Sequence, residues 1–219
     1  MKTAMKWLSF VLTAAVVITV SVFVGAKPVA AEGNQAEWNG TEYATVADAY
    51  AAAETDALNS EQTITLLCDA TVSTTITIAE NAKIKIDLQG YTLKAGTSAN
   101  GNMFKLSGGN MFSVVDTSTE GTGVVDGNKK WRLLYCAENS TPAEIILTGI
   151  KVKYCQRTNV SGGAMNVVAS TVLTITGVTF EDCSASNSGG AIYIAAAQDS
   201  DAAFNWTVTD SAFIRCAAS

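Results

Sequence analysis

The chain has 219 residues, 48% of them hydrophobic and 16% charged, with a formal net charge of −6 and no histidine. An acidic balance without a Lys/Arg run excludes nucleic acid and anionic membrane surfaces as natural partners. The lack of histidine excludes Ser-His-Asp and Cys-His catalysis within this chain.

In chain order, residues 1–31 read as a signal peptide. Lys2 and Lys6 form a basic start, Trp7 to Ala26 is uncharged and mostly apolar, and Val29-Ala30-Ala31 places small residues before a cut at Ala31/Glu32. An uncleaved anchor is the alternative, since ~20 apolar residues span a bilayer, and it is the only membrane contact expected. Cleavage leaves 188 residues and, with Lys2, Lys6 and Lys27 removed, a net charge of −9. The destination is secreted or cell-surface. A chain of this length makes one domain with a sizeable core.

Residues 32–62 are read as a linker and capping helix, with Glu32 to Thr41 polar and loose. Thr45 stands three residues before Asp48, a hydroxyl and a carboxylate placed to satisfy free N–H groups, and a helix is predicted over Asp48 to Leu58. Its expected role is to cover the apolar end of the strand-rich region beyond it.

Residues 63–219 change to short alternating runs, predicting strands near Thr63–Leu67, Thr74–Ile78, Lys83–Leu88, Met103–Leu106, Met111–Val115 and Gly123–Val125. Further strands are expected near Glu144–Leu147, Lys151–Tyr154, Ala164–Val168, Val172–Thr176, Ala191–Ile194 and Asn205–Thr209. Turn clusters such as Asp126-Gly127-Asn128 and Gly108-Gly109-Asn110 separate them.

Within this region LTGIKVKYCQRTNVSGGAM (from Leu147) and ITGVTFEDCSASNSGGAI (from Ile175) are two copies of one segment, and VTDSAFIRCAAS (from Val208) is the start of a third. Cys155, Cys183 and Cys216 thus share a repeat position, at steps of 28 and 33 residues. Such a period marks units that complete their cores by stacking. Leu173 and Ile175 face inward between outward threonines, Phe180 fills the interior, and Gly162-Gly163 and Gly189-Gly190 turn the chain. Phe213 matches Phe180 in the third copy. The cysteines fit a ladder of free thiols at the ~4.8 Å strand spacing, or an oxidised pair, since bridged Cα atoms lie ~4.4–6.8 Å apart. The third copy stops after Ser219 before its Gly-Gly turn, which reads as a truncated array.

These strings, with Phe180-x-x-Cys183, Phe213-x-x-Cys216 and the Gly-Gly-Ala-Ile turn, resemble the FxxN/GGAI repeats of polymorphic outer-membrane-type adhesins. More broadly they resemble the pectin-lyase-like surface proteins, with cysteine standing where asparagine is usual. The resemblance implies an all-β, right-handed parallel β-helix (solenoid) with a short N-terminal capping helix. It implies adhesins, large surface proteins or carbohydrate-active enzymes.

For chemistry, glycan cleavage needs paired carboxylates ~5–9.5 Å apart or a calcium site with a base. The candidates are Asp87, Asp116, Asp126, Asp182 and Asp210, with Lys151, Lys153, Arg157 and Arg215. Asp116 to Asp126 flank a polar loop, the one calcium reading beside an expectation of no cofactor. Trp38, Trp131, Trp206 and Tyr193 are candidates for stacking on sugars. The bland reading, solvated turn and face residues, is preferred for the carboxylates, and no catalytic residue is assigned. The function expected is a non-catalytic scaffold that binds a glycan or protein ligand. A polysaccharide lyase or glycoside hydrolase is the alternative.

Overall fold

The computed structural model describes residues 33–98, 101–136, 141–168, 170–195 and 205–219. The leader and its cleavage point lie outside the described residues. The described residues form one helix and strands of two to six residues.

The helix runs Val46–Ala57, with the Thr45 hydroxyl accepting the Asp48 N–H at 3.1 Å. It buries Val46, Ala49, Tyr50, Ala53 and Ala57, one face at helical spacing, against Ala36–Trp38, Gln62–Leu66 and Ala70–Val72. The Tyr50 hydroxyl accepts the Ala79 N–H at 2.8 Å and donates to Glu54, tying the helix to the sheets. Burial pushes its pKa up to about 12.

The strands fall into four sheets. The first orders Thr41–Tyr43, Ala36–Trp38, Gln62–Leu66, Lys83–Asp87, Met111–Val115, Glu144–Thr148, Val172–Thr176 and Asn205–Thr209. The second runs from Ala70–Val72 through Thr92–Ala95, Val124–Asp126, Lys151–Lys153 and Thr179–Glu181 to Ala212–Ile214. The third holds Ile76–Ile78, Gly101–Leu106, Trp131–Cys136, Met165–Val168 and Ile192–Ala195. Gln156–Arg157, Ser184–Ala185 and Ala217–Ala218 make the fourth. Pairing is parallel except where Ala36–Trp38 meets Thr41–Tyr43 and Gln62–Leu66.

The expected class, an all-β right-handed parallel β-helix with a capping helix, is corrected by these sheets. The strands divide among four separate sheets of eight, six, five and three strands instead of repeating one coil, and the largest sheet is mixed. The described residues are mainly β, built of several largely parallel sheets with a single helix. Two local causes are visible. Asn39 (φ 49°) and Gly40 (φ 74°) form a two-residue turn with both φ positive, which makes residues 36–43 a hairpin where a loose segment was expected. Strands are also cut short where residues enter the left-handed region. Tyr154, Asp182 and Arg215, with φ of 52°, 52° and 50°, do so one residue or less beyond the second-sheet strands.

The core lies between the sheets. Leu173 and Ile175 are buried while Thr174 and Thr176 stay partly exposed, and Phe104, Phe112 and Phe180 are fully buried. Cys155 O accepts from Ser184 N at 2.9 Å and Cys183 O from Ala217 N at 3.0 Å, so the three repeat cysteines occupy one column. The thiols of Cys155, Cys183 and Cys216 are not joined in disulfides. Cys155 and Cys183 are buried and Cys216 is half-buried. Hydrogen bonding to Cys183 and burial push the Cys155 thiol well above the ordinary value, which keeps it protonated and unreactive. The glycines pack beside this column, with Gly162 and Gly189 at φ of 77° and 64°.

Candidate binding cleft

The carboxylates singled out in the sequence are occupied by their own surroundings. Asp87 ends a first-sheet strand, and its Oδ1 accepts from Gln89 N (3.2 Å) and Thr117 N (3.1 Å). Its Oδ2 accepts from Gln89 Nε2 (2.8 Å) and Thr117 Oγ1 (2.5 Å). Asp116 follows the neighbouring strand, since Asp87 pairs with Val115. Its oxygens accept from Gly90 N (2.8 Å), Ser118 N (3.1 Å), Ser118 Oγ (3.0 Å) and Gly123 N (2.6 Å). The structure therefore brings these two carboxylates to one edge, where each closes a loop. A carboxylate surrounded by donors presents no lone pair to a cation. Among the described residues no group of three or more Asp, Glu, Cys or His is placed to hold a metal ion.

Burial raises the Asp116 pKa, but the hydrogen bonds from Gly123, Ser118 and Gly90 outweigh it and leave the group below its ordinary value. A depressed folded pKa gives stability that is present above the unfolded value and is lost as pH falls through the folded one. Asp116→Asn turns an acceptor into a donor facing Gly123 N–H. The expected loss at pH 7 is about 2 kcal/mol, and the gap from the parent closes as pH drops below about 4. Urea denaturation at pH 7 and pH 3 checks both signs.

The other candidates form surface pairs. Arg215 donates to Asp182 at 2.6 and 2.8 Å and to Glu181 at 2.7 Å, and Lys151 Nζ reaches Glu181 at 3.2 Å. The Arg215 hydrogen bonds hold Asp182 and Glu181 below the usual carboxylate range. Lys153 Nζ lies 3.9 Å from Asp126 and sits over the Tyr154 ring. Asp210 is exposed in the turn before Ala212–Ile214. Trp131 is buried, and the indole N–H groups of Trp38 and Trp206 donate to Gln62 Oε1 (3.0 Å) and Thr171 O (3.1 Å). Tyr193 is half-buried.

A cleft of about 150 Å³ opens beside the fourth sheet, lined by Lys129, Gln156, Arg157, Thr158, Ser184 and Ser186, with Ala185 and Ser219 at its wall. Among the described residues its lining combines two cations with amide and hydroxyl groups and no carboxylate side chain. Parallel pairing of Gln156 with Ser184 and Arg157 with Ala185 sets its floor. Lys129 arrives in a left-handed conformation (φ 59°), its N–H held by Tyr154 O at 2.8 Å. Arg157 was in the sequence-derived set as a base. Lys129, Gln156, Ser184 and Ser186 were not, because no motif joins residues so far apart. A local basic site in an acidic chain suits a small negatively charged or polar group. No family model, curated protein or solved structure matches the chain.

Proposed function

We propose that the chain is an exported, non-catalytic surface or secreted protein that acts as an adhesive or interaction scaffold. The observation that carries this reading is the engagement of the candidate acids and bases. Asp87 and Asp116 are filled by loop donors, and Asp182, Glu181, Lys151 and Arg215 neutralise one another. None of these is left poised to take or give a proton. The basic leader with its small-residue cut site supports export, and the adhesin-like repeat supports a surface role. The cleft beside Arg157 is where a ligand group would enter.

The test offers the chain from Glu32 onward to mucin, extracellular matrix and a panel of neutral and acidic glycans, alongside uronic-acid polymers as substrates. Saturable capture without product is the expected result. Release of shortened or unsaturated oligosaccharides at catalytic protein levels would replace the scaffold with a lyase or hydrolase.

A further inference from the structure

Two arginines, one of them in the wall of the cleft, carry buried donor atoms that reach nothing. Arg132, on Trp131–Cys136, is 2% exposed, and its Nε and Nη1 are buried without a hydrogen-bond partner. Arg157 donates from Nη1 to Gly101 O at 2.5 Å, while its Nε is likewise buried and unpartnered. Register brings the two together. Gly101 pairs with Trp131 and Asn102 with Arg132, so the carbonyl that anchors Arg157 lies one residue from the cross-strand neighbour of Arg132. The Tyr135 ring, 5.7 Å from the Arg132 guanidinium carbon, faces that charge but takes none of these N–H groups in a hydrogen bond of ordinary geometry.

Burial and the Arg157 charge pull the Arg132 pKa down to about 10, so both groups stay charged at neutral pH. A guanidinium whose buried donors lack acceptors carries an uncompensated desolvation penalty, and a second one beside it adds repulsion. Native interiors pair such groups with a protein acceptor, ordered water or an ion. Two forked cations that no described carboxylate pairs with match an oxyanion, whose oxygens take charge-assisted N–H bonds. The cleft supplies the approach, since Arg157 belongs to both places and Lys129, Ser184 and Ser186 add a cation and hydroxyls along it.

We propose that Arg132 and Arg157 form a binding site for a small oxyanion, the carboxylate, sulfate or phosphate group of an acidic ligand that enters through the cleft. This deepens the scaffold reading by naming the ligand chemistry, and it rests on the cleft as the binding place but not on export.

Isothermal titration of the chain from Glu32 onward with sodium sulfate, sodium phosphate and sodium glucuronate tests it, with sodium chloride at matched ionic strength as the control. At least one oxyanion is expected to bind and to raise the melting temperature where chloride does not. Glucuronate alone identifies a carboxylate source, and sulfate or phosphate alone identifies an ester. Arg157→Gln should weaken that binding by roughly tenfold or more. Arg132→Met should abolish it while melting higher than the parent in anion-free buffer, because an uncompensated buried charge is gone. No oxyanion response beyond chloride, or equal responses in parent and Arg157→Gln, overturns the site even if Arg132→Met fails to fold. Capture of a neutral glycan in the scaffold assay with no anion response would remove this site alone. An anion response without capture by any surface would remove the scaffold reading alone.

Discussion

Gly163→Ala is expected to destabilise the fold by at least about 3 kcal/mol. A Cβ at Gly163 would fall on the Gly190 carbonyl oxygen and within 2.7–2.8 Å of Ser184 O and N. All three are backbone atoms of the paired segment, so no side chain can swing away. Gly163 N also donates to Gly189 O at 3.1 Å, which fixes the separation. Gly121→Ala is the matched control. Gly121 has φ +60° but nothing within 4 Å of an added Cβ, so only the left-handed strain of about 1–2 kcal/mol is expected. Thermal melts by circular dichroism should separate the two variants clearly. Equal losses would mean that the close approach of backbone on backbone at Gly163 costs no more than the left-handed strain at Gly121.

Phe180→Ala should cost about 4 kcal/mol, within the range for removing a fully buried aromatic ring. Phe180 is fully buried, and its ring stacks on Phe213 at 5.0 Å with 5° between planes. The same change at Phe213 should cost about 1 kcal/mol, because that ring is half exposed and contributes mainly the stacking contact. The two residues are register partners in adjacent second-sheet strands and match in the repeat. Their sequence environments are similar, yet burial separates them. Urea denaturation with an unchanged m-value in both variants is the measurement, and similar losses at the two positions would contradict the burial argument.

Local chemistry made several features legible in the sequence. The helix begins where Thr45 and Asp48 stand three apart, because a hydroxyl at that spacing satisfies free N–H groups regardless of distant contacts. The strand Val172–Thr176 alternates as its apolar and threonine residues demand. Other features were carried by the sequence but masked by their neighbours. Asn39-Gly40 is a strong hairpin signal, yet the polar residues around it led to the expectation of a loose segment. The strands Ala70–Val72, Thr92–Ala95 and Gln156–Arg157 are only two to four residues long, too short for periodicity to rise above noise.

The carboxylates drew attention as possible acids, bases or calcium ligands because residue type alone carries that suggestion. What they do depends on which N–H and O–H groups lie within hydrogen-bonding distance. Asp87 and Asp116 take theirs from one another's loops, about thirty residues apart, through contacts such as Thr117 N to Asp87 and Gly90 N to Asp116. The arginine pair was invisible for the same reason. Arg132 sits in an apolar run, WRLLYC, and nothing in that run says that its Nε and Nη1 are buried without an acceptor.

Residue order alone sets the β-rich texture, the helix at Val46–Ala57, the common position of Cys155, Cys183 and Cys216, and the need for glycine beside them. Each of these follows from residues within one strand or turn, or from a repeat that can be aligned by eye. Long-range packing sets how the strands divide among four sheets, opens the largest sheet with an antiparallel hairpin, and brings Arg132 near Arg157, which lines the cleft. Those outcomes depend on pairing between strands about thirty residues apart and on desolvation of the groups between them, and neither quantity is a property of a local segment.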